Sequence, residues 1–167
     1  MSVNSPQELF VVLLSDVRRK TERSVDFYRE LNKIAEEPEI KEALEARAFV
    51  AGKSLDTIDQ AFKLINQKPL TLTGRVEEIF VEDFRRDLAE IKSPVAKRIF
   101  VLSKLMHLTH LRMGEFVALV AAADATGNFG VGVLLESCLG DYLAFAERNR
   151  RLIRNVIEAK VAAKGTA

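Results

Sequence analysis

With a single cysteine, Cys138, the chain has no second thiol for an intramolecular disulfide. Only eight glycines and four prolines interrupt a sequence otherwise rich in Ala, Leu, Glu, Lys and Arg, so little in it opposes helix and an all-α fold is expected. Charge of one sign is missing too. Lys plus Arg number 25 against 24 Asp plus Glu, so no net field draws the chain to nucleic acid or to an anionic membrane, and neither partner is expected. The longest apolar run, Phe116 to Ala123, falls far short of the roughly 20 residues that cross a bilayer. The opening MSVNSPQELFVVLLSD lacks a basic segment followed by a long apolar one, and a cytoplasmic protein is the expectation. What is present is apolar material: 48% of 167 residues are hydrophobic, enough to bury a core without disulfide or metal support, in one domain spanning 1–167.

Ser5-Pro6-Gln7-Glu8 and Ser93-Pro94 each place a hydroxyl at an N-cap and proline at the first helical position. The first predicted helix carries Phe10, Leu13, Leu14, Val17, Val25, Tyr28, Leu31 and Ile34 inward, with small polar groups on its seam at Thr21 and Ser24. It ends at Glu36-Glu37-Pro38-Glu39. A second runs from about Glu39 to Asn66 on a seam of Ile40, Leu44, Ala48, Ala51, Leu55, Ile58, Phe62 and Ile65. After Lys68-Pro69 and an irregular stretch comes a shorter amphipathic helix, Arg75 to Ile91, with Val76, Ile79, Phe80, Phe84, Leu88 and Ile91 inward. It is long enough to serve as a crossover that returns the chain along the bundle, making the third long helix parallel to the second. That third helix continues from Ser93-Pro94 to about Thr126, before Gly127, Asn128 and Gly130. The fourth follows at once, with Val131, Leu134, Leu135, Cys138, Tyr142, Phe145, Leu152 and Val156 inward, and Ala162 to Ala167 is expected to fray. Four long helices with one long connection describe a ferritin-like bundle, residues about 5 to 163, with its crossover helix near 75–91.

The polar interruption of the third helix, KLMHLTHLRMGEF (Lys104 to Phe116), is the natural place to look for chemistry. His107 and His110 could hold one transition metal from adjacent turns, with Asp141 or Cys138 as a further ligand. Two core-edge histidines bonded to a hydroxyl or carbonyl are the plainer alternative. Thr21, His107, Thr109 and Asp141 form a candidate polar cluster at mid-bundle, which as a satisfied hydrogen-bond network needs no ligand. Cys138 on a seam reads as a small buried hydrophobe rather than a redox thiol. Arg148, Arg150, Arg151 and Arg154 suit the end of a helix and have no interleaved aromatics for base stacking. Gly127 to Gly132 follows a helix rather than a strand, so it reads as a turn and not a phosphate cradle.

Leu9 to Asp16 (LFVVLLSD), Pro38 to Glu45 (PEIKEALE), the Lys104, His107 and Gly114 pattern and Leu134 to Leu139 (LLESCL) together resemble the YciF/YciE stress-protein family of ferritin-like bundles. In ferritin-like di-iron proteins each long helix offers inward carboxylates or histidines, which offset the charge of two close cations. The resemblance implies that most of these are lost here: Thr21 stands where family members carry a glutamate, Phe49 and Val50 where they carry adjacent glutamates, and Met106 and Thr109 where two more acids flank His107. Asp141 is the one acid that carries across. Carboxylates left behind without their cations would be buried like charges, so the anions are expected to vanish with the metal. The expectation is therefore a non-enzymatic, stress-associated bundle with no cofactor and no metal ligands, acting by association as a homodimer, with any small-molecule ligand undefined. The alternative is an iron- or manganese-dependent oxidoreductase or metal-binding protein drawing on Glu22, Glu45, Asp56, Glu115, Glu136 and Asp141.

Overall fold

The computed structural model describes residues 3–35 and 37–165, with the side chains of all of these except 34, 77 and 160–165. Among the described residues five helices follow one another: α1 (Pro6–Ile34), α2 (Pro38–Leu64), α3 (Val76–Glu90), α4 (Pro94–Ala125) and α5 (Phe129–Gly165). Their starts are chemically marked. Ser5 Oγ accepts from Glu8 N at the head of α1, Ser93 Oγ accepts from Ala96 N at the head of α4, and proline opens α1, α2 and α4, where its fixed φ and missing N–H cost nothing. Their ends are equally specific. At Asn66 (φ 52) and Gly127 (φ 74) the chain turns left-handed, and the next amide reaches back five residues, Gln67 N to Phe62 O at 3.0 Å and Asn128 N to Ala123 O at 2.8 Å, closing both helices in Schellman fashion. Helical bonding in α5 continues to Gly165, beyond the predicted fray at Ala162. Residues 166 and 167, Glu36 and the Ile34 side chain lie outside the described residues.

Topology follows from which helix ends share a core. Phe10 and Leu14 from early α1, Ile58 and Phe62 from late α2, Leu119 and Ala123 from late α4, and Val131 and Leu135 from early α5 form one cluster. Tyr28 and Leu31, Ile40 and Leu44, Leu102 and Leu105 form the other with Phe84 of α3, and Leu152 and Val156 of late α5 pack on it. Thus α2 and α4 run parallel, both antiparallel to α1 and α5, and this is a ferritin-like four-helix bundle with a crossover helix. The connection before α3 is pinned by Leu70 N donating to Ser15 Oγ at 3.0 Å. From Phe80 onward α3 engages the core: Phe84 is buried in a ring contact with Phe27 and Phe100, and Phe80, Val81 and Leu88 pack on the same cluster. Val76 and Ile79, expected inward, are exposed, because they begin the helix before it closes on the bundle.

Candidate functional site: the polar waist

The two apolar clusters do not merge. Between them each long helix turns a polar or amphipathic residue inward: Thr21 and Ser24 from α1, Arg47 and Ser54 from α2, Thr109 and Arg112 from α4, and Tyr142 from α5, all buried. The hydroxyls serve their own helices. Thr21 Oγ1 donates to Val17 O at 2.7 Å, Thr109 Oγ1 to Leu105 O at 2.7 Å, Ser24 Oγ to Lys20 O and Ser54 Oγ to Val50 O at 2.9 Å. Such bonds to the preceding turn satisfy a buried hydroxyl without a base or a ligand, so none of the four is poised as a nucleophile.

The charged members are two arginines, Arg47 and Arg112, each buried. Arg112 Nη1 donates to Glu115 Oε2 one turn on, and Nη2 to Ser24 Oγ at 3.4 Å. Glu115 Oε1 also accepts from Lys20 Nζ at 2.7 Å, and Lys20 reaches Asp16 Oδ2 at 2.5 Å, which Arg19 meets at 3.0 Å. A chain of alternating charge thus climbs from the surface into the waist and ties α1 to α4. Arg47 is held differently. Its guanidinium carbon lies 4.0 Å from the centre of the Tyr142 ring, 4.9 Å from that of Phe145 and 5.1 Å from that of Tyr28, an aromatic cage for a cation. Among the described residues none of its three nitrogens finds a hydrogen-bond acceptor, and neither does the buried Tyr28 hydroxyl. Burial pushes the Tyr142 phenol up, against the pull of Arg47 and Arg112. It pushes the Cys138 thiol up as well, outweighing the hydrogen bonds of Ser54 and Thr57, so Cys138 stays a protonated, packed side chain and not a nucleophile.

The structure brings together half of the sequence-predicted cluster. Thr21 and Thr109 are in the waist, but His107 and Asp141 are not. His107 is exposed and stands edge-on to Phe80 of α3 at 5.5 Å, while Asp141 meets Lys53 at 3.7 Å on the surface. His110 is exposed too, with Nδ1 2.9 Å from Met106 O. Phe49, aligned to an inward acid, is 74% exposed. Of the six acids held open for a metal centre, Glu115 alone approaches the waist, and it is committed to Lys20 and Arg112. No group of three His, Cys, Asp or Glu converges among the described residues. The late arginines go to surface carboxylates, Arg148 to Glu42 and Arg150 to Glu147, both at 2.8 Å. A di-metal centre would need several inward anionic oxygens, whereas the buried charges of this waist are guanidinium groups, so the residues present do not fit it.

The ion chain has a pH signature. Burial pushes the Asp16 carboxyl up, but the hydrogen bonds from Lys20 and Arg19 outweigh it and hold the group below the usual range. For Lys20, burial pulls the ammonium down, and Asp16 and Glu115 more than restore it, holding it above its usual value. The Asp16 contribution is therefore present above an unfolded pKa of about 3.9 and lost as pH falls through the lower folded value; that of Lys20 is present below about 10.4 and lost as pH rises through the higher one. Urea midpoints measured from pH 2 to 6 should fall less steeply on the acid side for Asp16→Asn than for the parent chain.

No curated protein matches the sequence. Among solved structures, the Escherichia coli stress protein YciF superposes with a TM-score of 0.88 at 16% identity, over 93% of this chain and 99% of that one. YcfI, a candidate structural protein from Rhodopseudomonas palustris, gives 0.85 at 15% identity over 89% and 95%. A Xanthomonas campestris protein gives 0.75 at 18% identity over 96% and 99%. These likenesses fix the bundle fold, and the match of residues 5–162 to the family described as a domain of unknown function, DUF892, shows that this chain is a YciF-like member of that family.

Proposed function

We propose that this chain is a stress-associated bundle protein that has surrendered the di-metal chemistry of its fold and works by association, as a homodimer. The observation that carries the reading is the pair of buried arginines at the waist: guanidinium groups stand where the fold otherwise gathers carboxylates around cations, and a second set of positive charges there would be repelled.

Association is supported by the outer face of α4. His110, Leu111, Gly114, Val117, Ala118 and Ala121 are all exposed and carry no carboxylate, ammonium or guanidinium over three turns, and Gly114, Ala118 and Ala121 are small enough to let a second helix approach. A face of this kind pairs with its own copy across a two-fold axis, since an uncharged stripe complements itself. Sedimentation velocity together with elemental metal analysis, on protein grown in iron-rich and manganese-rich media, tests both halves. A dimer with substoichiometric metal is expected, and Val117→Glu should shift it to monomer with the helical signal unchanged. Two equivalents of metal per chain would end the first half; a monomeric parent chain would end the second.

A further inference from the structure

Arg47 is completely buried, and a guanidinium offers five N–H donors in its own plane. The rings of Tyr142, Phe145 and Tyr28 around it supply π faces, which attract the positive charge but do not take the place of acceptors for in-plane donors. None of the Arg47 nitrogens has an acceptor among the described residues, and the buried Tyr28 hydroxyl, a further donor in the same cage, has no partner there either. Unpartnered donors from two helices thus belong to one aromatic cage, the Arg47 guanidinium carbon lying 5.1 Å from the centre of the Tyr28 ring. Arg112 adds a second positive charge close enough to act on Tyr142. Tyr28 also walls a groove of 780 Å³ between α1 and α2, together with Leu44 and Ala48, the residues that flank Arg47 on its helix. The cage is therefore one side chain from the surface, and the groove carries Arg29, Lys33 and Lys53 against Glu45 and Asp56.

We propose that the waist takes a small monovalent anion, a halide or a carboxylate group, between the guanidinium edge of Arg47 and the Tyr28 hydroxyl. A single arginine among aromatic rings suits one delocalised or compact negative charge, whereas the second charge of a phosphate group would be left buried and unpaired there. The chemistry inverts the sign of the centre associated with this bundle type: the fixed cation belongs to the protein and the counter-ion is the guest. Nothing in this depends on whether the chain dimerises.

Thermal unfolding of the full chain in sodium chloride, bromide or formate, against isethionate at equal ionic strength, provides the test. Raising the bound anion from about its dissociation constant to a hundredfold above it should lift the midpoint by on the order of 5 °C, with no rise in isethionate and none in Arg47→Met. A response to formate alone assigns a carboxylate, and a response to halides assigns a halide. Equal midpoints in all four salts, or the same rise in Arg47→Met, would overturn the proposal. Should that variant fail to fold, bromide-grown crystals of the parent chain decide independently: an anomalous peak within hydrogen-bond distance of the Arg47 guanidinium supports the site, and a map without one refutes it.

Discussion

Glu115→Leu is expected to lower the stability of the folded chain by about 3–5 kcal/mol, as breaking a buried ion pair from one side does, and to bring the melting midpoint down by about 10 °C. The carboxylate serves two cations at once, Lys20 from α1 and Arg112 from its own helix. Its side chain is 17% exposed, that of Lys20 14% and that of Arg112 1%, so solvent does little to replace what is lost. Arg112 would keep its Ser24 contact and Lys20 its Asp16 partner, and Arg112, the more deeply buried of the two, is the charge most affected. Urea unfolding with an unchanged m-value is the measurement. Glu115→Gln, which keeps one acceptor oxygen but no charge, should fall between the two, and adding Lys20→Met to Glu115→Leu should recover part of the loss, because the pair is coupled. A loss below about 1 kcal/mol would place the network among solvated surface pairs.

The same network shows where reading the sequence succeeds and where it stops. Helix boundaries were legible because they are written in local chemistry: Ser5-Pro6, Ser93-Pro94 and Gly127-Asn128 name their caps without reference to anything distant. The crossover was legible from its amphipathic pattern and the length of the connection. The waist was only half legible, for a geometric reason. Successive residues on a helix turn by about 100°, so His107 and Thr109 lie about 200° apart and cannot both face inward. Once Leu105, Leu108 and Phe116 set the inward arc of α4, Thr109 and Arg112 fall inside it and both histidines outside. Asp141 is one position from buried Tyr142 and is turned away in the same manner. Arg47 could have been found, since it sits three after Leu44 and four before Ala51 on a continuous buried seam. Composition argues against it, because arginine almost never goes fully inside without a partner. Only the distant Tyr28, Tyr142 and Phe145 explain its place, and nothing local to α2 announces them. Phe49 errs in the opposite direction, a large apolar residue on the outer face of α2, as single exposed hydrophobics often are.

In buffer free of halide and small carboxylates, Arg47→Met should raise stability by about 1–4 kcal/mol, the range found when buried ionic groups give way to well-packed apolar ones. Methionine keeps most of the length of the arginine stem, and its thioether makes favourable contacts with ring edges, worth roughly 0.3–1.5 kcal/mol each. Against this stands the loss of cation–π attraction, about 2 kcal/mol or more for a desolvated site, and its sum over three rings is less than the desolvation of a guanidinium with no hydrogen-bond acceptor. Two companions separate charge from volume. Arg47→Ala removes the stem and opens a cavity among Tyr28, Tyr142 and Phe145, so it should lose about 2–5 kcal/mol. Arg47→Lys keeps the charge but concentrates it on a strongly hydrated ammonium that cannot spread over the rings, and should fall below the parent. The order Met, parent, Lys in urea midpoints makes the arginine a stability defect retained for a ligand. If Met instead falls below the parent, the aromatic cage alone repays the buried charge, and Arg47 is a structural cation.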